Sequence, residues 1–444
     1  MPYSASKNLP SERASKLGHL EVVRSPLVQQ LIHSFEETGN KDADATVKPK
    51  WQPLPPLGLP LDLIFGVDGS FQPIEDERPP HKTLAFVKTA LMRIDEVALS
   101  RIDKETPHPF ALRDLMAESA MYHATVFPLR HVRVPGLSVY NTVRQTIFES
   151  VKDGSLEGEP METLKWLAYE KWSGGRPQLP NFQCPHCDSD QATLPYDAEQ
   201  GACSRCGKLL FITDMLGFHL EMAEEAASDS VATAYMNIHE TLLLFTGIRL
   251  YWETNREILK RCLFVKDGPL LLRAQYSKLV NPIRRFLIHA LQQEVPICIV
   301  SQEKSGAFFE HLKLIEPEAP AGQLFIPDHT YICEQIQYRP ASGAPYGRDT
   351  NYGAKMFLAL DERYHFVLSV PVNVKMGDFI QAPNLAHVIG FERILATLPR
   401  LLSSRHENGL LPIELAHSIA SLSTYPSAKV LKLFAEAAMK KSER

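Results

Sequence analysis

Two short apolar runs end in Asp-Gly about two hundred residues apart: Leu63-Ile64-Phe65-Gly66-Val67-Asp68-Gly69 and Leu263-Phe264-Val265-Lys266-Asp267-Gly268. Runs this short and hydrophobic, bounded by Gly or Pro, read as buried strands. Each would carry a carboxylate to the C-terminal edge of a core sheet. If the strands are neighbours, Asp68 and Asp267 can hold a divalent cation between them. Asp-Gly is also the favoured pair of a two-residue hairpin turn, so a turn is the competing reading. Neither segment resumes alternation at once, and Pro269 cannot donate to an antiparallel ladder.

Two-metal phosphodiester chemistry needs several carboxylates converging from different strands and a helix. The helical stretch before the second run offers Glu240, Glu253 and Glu257. Glu253 has Arg249 four residues earlier and Arg256 and Glu257 just after, the pattern of a solvated, ion-paired face. Glu240 stands on an apolar stripe with Met236, Leu243 and Leu244. A carboxylate there is expensive unless a cation or hydrogen bonds compensate it. Glu240 is therefore the better third candidate, against the alternative of a partly exposed Glu beside His239.

A second chemistry is written in cysteine. Cys184-Pro185-His186-Cys187 and Cys203-Ser204-Arg205-Cys206 are separated by fifteen residues. Four thiolates in two CxxC knuckles satisfy tetrahedral zinc, and four cysteines leave no open position, so the site is expected to be structural. Ala192–Tyr196 and Gly201-Ala202 fit a small hairpin inside this ribbon, with Leu209–Ile212 returning to the body. Cys262, Cys298 and Cys333 sit in apolar surroundings as small core residues.

The elements that must position these groups are set by periodicity. Residues 11–38 read as two short helices interrupted at Pro26, and residues 40–60 as a proline-rich linker or strap. Thr83–Ile94 is the partner of the first strand. Helices are expected near Ala111–Ala120, Thr142–Val151, Glu162–Trp172, Asp214–Lys260 and Ser277–Gln292. Val295–Val300, Met356–Leu360 and His365–Val370 read as strands, and Phe391–Leu402, Pro412–Ser421 and Ser427–Met439 as closing helices. Strands mixed with long helices predict an α/β core.

Of 444 residues, 44% are hydrophobic and 22% charged, which suits one large core or a few smaller ones. A net charge of −5 excludes a global electrostatic footprint for nucleic acid, leaving only local basic patches. No apolar stretch approaches a membrane span, and the N-terminus lacks the apolar region of a signal peptide. With CxxC cysteine usage, this points to a reducing cytoplasm.

With these elements in order, the chain resembles the NurA nuclease family. The matching segments are Phe65–Ser70, Met236–Leu243 with Glu240, Phe264–Leu270 with Asp267, Ile299–Ser305 with Lys304, the strand pair between Tyr352 and Val372, and Pro412–His417. They cover most of residues 61–425. The resemblance implies a ribonuclease H-like mixed sheet flanked by helices, and a Mn²⁺- or Mg²⁺-dependent DNA nuclease. It also implies a homodimer that docks on a HerA-type hexameric translocase and processes DNA ends. By position, Asp68, Glu240 and Asp267 would be metal ligands, His417 would assist at a metal or the scissile phosphate, and Lys304 would meet a phosphate. On their own, His417 is an ordinary helical histidine and Lys304 a loop lysine. The family's tyrosine before the late histidine is missing from residues 406–411. The zinc ribbon, residues 180–212, and the N-terminal arm, residues 1–60, are additions, and 426–444 is a C-terminal helix and tail. Lys278, Arg284 and Arg285 are candidates for contact with the DNA backbone. The alternatives are a catalytically degenerate adaptor whose ribbon binds DNA or a motor ATPase, and a different metal-dependent phosphohydrolase. Against the latter, position 70 is Ser70, where an aspartyl-phosphate phosphatase would have a second aspartate.

Overall fold

In the computed structural model, which describes residues 22–35, 47–76, 79–95, 120–403, 408–422 and 427–441, the first Asp-Gly run opens a strand nearly twice its length. In chain order the strands are β1 Gln52–Pro53, β2 Leu63–Glu75, β3 Thr83–Asp95, β4 Ala120–Arg130, β5 Gln200–Ala202, β6 Leu209–Phe211, β7 Met222–Ala223, β8 Ala226–Ala227, β9 Cys262–Asp267, β10 Cys298–Glu303, β11 Gln323–Phe325, β12 Ala354–Ala359 and β13 His365–Val370. All but β5 and β6 join one mixed sheet in the order β1-β11-β12-β13-β10-β9-β2-β3-β4-β8-β7. β2, β3 and β4 form an antiparallel meander, while β9 pairs parallel to β2 and β10 parallel to β9. On the far side β13 and β12 continue antiparallel. β9 and β10 are covered on both faces, which is why Leu263-Phe264-Val265 and Cys298-Ile299-Val300 are unbroken apolar runs.

The helices that matter here are α1 Pro26–Ser34, α2 Val139–Val151, α3 Glu159–Ala168, α4 Asp229–Thr254, α5 Val280–Gln292, α6 Ala307–Ile315, α7 Phe391–Thr397, α8 Leu411–Ala420 and α9 Ser427–Lys441. One face of the sheet, carrying Phe65, Val67, Phe264 and Ile299, packs against α2 to α5. The other, carrying Ile64, Leu263, Val265 and Val300, packs against α7 and α8 through Ile394, Leu395, Ile413 and Leu415. α4 is buried nearly all round because the sheet lies on one side and α3 and α5 on the other. Among the described residues no helix is long and apolar enough to cross a membrane.

Several expectations change. Asp68-Gly69 lies inside β2, not at a turn, because β2 runs on against β3 to Glu75. The long helix begins at Asp229, not Asp214; the intervening residues make short 3₁₀ turns and the β7–β8 hairpin. β4 emerges within a stretch read only as mixed, while the helix expected at 111–120 falls almost wholly outside the described residues. In the N-terminal arm α1 starts at Pro26, since proline at a first helical position sacrifices no hydrogen bond. The proline-rich stretch is a strap: Leu54 N–H donates to the Gly322 carbonyl, Gly58 N–H to Glu392, and Leu61 N–H to Thr397 Oγ1.

Gly66 sets how closely α8 approaches β2. A Cβ there would lie 2.2 Å from the Pro412 carbonyl oxygen. Gly66→Ala must therefore push the start of α8 away, and is expected to lower unfolding free energy by about 1–3 kcal/mol, read as an earlier denaturant midpoint.

Candidate metal centre

The register places the two aspartates together. Val67 pairs with Lys266, Lys266 with Ser301, and Asp267 with Gln302. β9 then ends while β2 continues, so Asp68 and Asp267 stand side by side where the parallel edge opens. Alternation sends both toward α8, the face of Gly66 and Val265, and sends Lys266 toward α4.

Asp68 is 3% exposed. Its Oδ1 accepts the Gly69 N–H at 2.7 Å, and its Oδ2 lies 2.8 Å from His417 Nδ1 on α8. That hydrogen bond raises the His417 imidazole above its ordinary pKa, against partial burial. Asp267 Oδ1 is 3.6 Å from Lys304 Nζ and, though itself buried, has no hydrogen-bond partner. Burial raises the Asp267 carboxyl, the neighbouring charge of Asp68 adds to the rise, and Lys304 opposes it. A carboxylate oxygen that accepts no hydrogen bond, beside a second carboxylate, suits a hard divalent cation. The structure thus brings together Asp68, Asp267, His417 and Lys304.

Glu240 comes from the other side. On α4 its Oε2 accepts from Lys266 Nζ at 2.6 Å, and Lys266 also donates to the Asp267 main-chain carbonyl at 2.8 Å. Burial pushes the Glu240 carboxyl up to about 7 even with the Lys266 ammonium opposing the shift and Asp68 adding to it. Burial also works against the Lys266 ammonium, but Glu240 outweighs it and holds the amine above its ordinary value. Next to this pair, Thr241 Oγ1 meets the Tyr352 hydroxyl at 3.2 Å, and His239 Nδ1 meets Thr89 Oγ1 at 2.8 Å. The His239 ring stacks on His123 at 4.2 Å, and burial lowers the pKa of both.

Lys266 escaped the sequence reading although its signal was there. A lysine two residues after Phe264 in a strand faces the same way as Phe264, into the core. Gln302 has no comparable local mark; only the β9–β10 register places it beside Asp267. The proposed phosphate contacts fare differently. Arg284 is committed to protein, donating to the carbonyls of Asn351, Arg348 and Gly347, and Arg285 pairs with Glu170. Lys278 is exposed. Glu253 is ion-paired with Arg249 at 2.8 Å, as its spacing implies.

The four cysteines converge. Among the described residues they form the one group of three or more His, Cys, Asp or Glu whose ligand atoms all lie within 4.8 Å of one another. Cys184 and Cys206 Sγ are 3.9 Å apart, as are those of Cys187 and Cys203, the separation expected for thiolates about 2.3 Å from one tetrahedral ion. The cluster can therefore hold zinc. Each CxxC closes its own knuckle, with Asp188 N–H on the Cys184 carbonyl and Gly207 N–H on that of Cys203. For that reason Gly201-Ala202 pairs with Leu209-Leu210, and Ala192 with Phe182, not with each other as expected from sequence. The ribbon is joined to the main core: Leu194, Leu210 and Phe211 belong to the α2–α5 cluster, and Arg144 on α2 holds Asp214 through Nε at 2.9 Å and a second nitrogen at 2.8 Å.

No family model matches the chain, and no curated protein matches it. Among solved structures, one described as NurA bound to dAMP and manganese aligns over 96% of this chain and 94% of its own, at 10% identity and a TM-score of 0.26. A likeness that slight carries no argument about the fold or activity of this chain.

Two outcomes are expected. Because the ribbon shares the main core, Cys203→Ser should release the metal, measured by elemental analysis, and destabilise the whole fold by about 4 kcal/mol or more. The raised His417 pKa means that its pairing with Asp68 stabilises the fold fully below the ordinary histidine value and fades as pH rises through the folded value. The stability gap between wild type and His417→Gln should accordingly be widest near about pH 6 and narrow toward about pH 9, measured by urea unfolding.

Proposed function

We propose that this chain is a divalent-metal-dependent nuclease acting on DNA, with Asp68 and Asp267 as its ion-binding carboxylates. The observation that carries the reading is the side-by-side pair formed where β9 ends beside the continuing β2, with an Asp267 oxygen that accepts no hydrogen bond and with Lys304 and His417 beside the pair. A ribonuclease H-like core is supported by the β2–β3–β4 meander followed, through helices, by β9 and β10 parallel to β2. Manganese or magnesium at the carboxylates and zinc in the ribbon are consistent with oxygen and thiolate donors respectively.

A bound divalent cation would supply Lewis-acid stabilisation of charge on the phosphate oxygens. Asp68 and Asp267 would hold it, and the Gly69 N–H and His417 keep Asp68 in one orientation. His417 is 56% exposed and Lys304 41% exposed, so both can reach a phosphate from solvent. Contacts of this kind to phosphate carry no sequence information, so cleavage is expected to be sequence-tolerant. Dimerisation and docking on a HerA-type translocase remain part of this proposal through the family resemblance. One observation favours the adaptor reading instead: the third carboxylate, Glu240, is already occupied by Lys266.

The test is cleavage of linear DNA with Mn²⁺ by purified protein, with and without a hexameric translocase. Asp68→Asn and Asp267→Asn should each lose more than about 100-fold in rate, the upper range for groups one shell beyond a metal, while circular dichroism stays native. Full activity in both variants would remove the assignment, and no cleavage by wild type under any metal would favour the adaptor.

A further inference from the structure

Glu240 approaches the aspartates through the sheet. Asp68 and Asp267 point toward α8, whereas Glu240 descends from α4 on the opposite face. Both of its oxygens are engaged or enclosed there. Oε2 takes the Lys266 ammonium at 2.6 Å, and Oε1 packs on the β2 main chain, where a Cβ on Gly69 would come within 2.5 Å of it. The side chains are 5% and 1% exposed for Glu240 and Lys266. The oxygens of the three carboxylates do not gather as a set within 4.8 Å, as the four cysteine sulfurs do.

The Lys266 ammonium donates both to Glu240 and to the Asp267 carbonyl. A divalent ion on Glu240 would have to displace this ammonium or sit against it, and in a dry site like charges repel strongly. The ammonium also offsets the Glu240 carboxylate, so of the three carboxylates only the two aspartates remain to face a cation.

We propose that the Asp68–Asp267 pair takes a single divalent cation and that Glu240 is the buried counter-ion of Lys266, not a metal ligand. This rests on the metal-site reading of the two aspartates and departs from the three-carboxylate, two-ion set expected from sequence. Lys266 is then a positioning residue: it ties α4 to the end of β9 and fixes where Asp267 stands.

The experiment is a Mn²⁺ titration of the full chain, following free Mn²⁺ by electron paramagnetic resonance, with ribbon zinc counted separately by elemental analysis. Wild type and Glu240→Gln should each bind one Mn²⁺ with Kd values within about fivefold of each other, while Asp267→Asn should bind more than about tenfold more weakly. If Glu240→Gln fails to fold, the double variant Glu240→Gln/Lys266→Met removes both charges together and should again bind one Mn²⁺. Two Mn²⁺ per wild-type chain, or a loss of about tenfold or more in the folded variant lacking the Glu240 carboxylate, overturns the inference and leaves the metal site standing. No Mn²⁺ on wild type, or unchanged binding in Asp267→Asn, overturns the metal site itself and this inference with it.

Discussion

β9 pairs in parallel with β2 from Cys262 to Lys266 and then stops, while β2 runs on against β3. The candidate centre depends on that mismatch in length. Had β9 continued, the groups beyond Lys266 would be closed into a ladder. Had β2 stopped with it, Asp68 would stand on a flexible turn. Instead Asp68 is held in β2 by β3 with no strand paired to it on the β9 side, and an Asp267 oxygen that accepts no hydrogen bond lies beside it. The same register, with period-two alternation, divides the charged residues between the faces. Aspartates go to α8, and the Lys266 ammonium goes to α4.

The α4 face of the sheet carries an unusual load of buried charge. Lys266 pairs with Glu240, and at the same level across the sheet Lys355 pairs with Glu303 at 2.7 Å. Ser301 and Ser369 stand between the two lysines in the registered row. Buried pairs of this kind add little net stability, because desolvation consumes most of the Coulombic gain, yet breaking one by removing a single partner costs about 3–5 kcal/mol. They hold the register by making any slip expensive. A one-residue shift would turn each lysine to the opposite face and leave its glutamate alone in an apolar layer.

Much of this was legible in sequence because it is local. The β2, β9 and β10 runs, the two CxxC knuckles, the amphipathic closing helices and the ion pair of Glu253 all follow from spacing along one element. Less was legible where one element's neighbours decide. Residues 214–228 read as the start of the long helix but form 3₁₀ turns and the β7–β8 hairpin, because the ribbon's return and the Arg144–Asp214 contact fix the chain there. Arg284 has the sequence character of a surface cation, yet it is spent on carbonyls of residues 347–351, more than sixty positions away.

From the sequence alone came the chemistry available: two strand-borne aspartates, a costly glutamate on an apolar stripe, and four thiols spaced for one ion. Which of these meet was decided by tertiary structure. A carboxylate in an apolar stripe needs a partner, and composition could not say whether that partner is a metal or an ammonium. The parallel register places Lys266 under α4, within 2.6 Å of Glu240, while Asp267, one residue on, faces away. Side-chain direction in a strand reverses with every residue, so the site's membership is a property of how strands align, which no single segment contains.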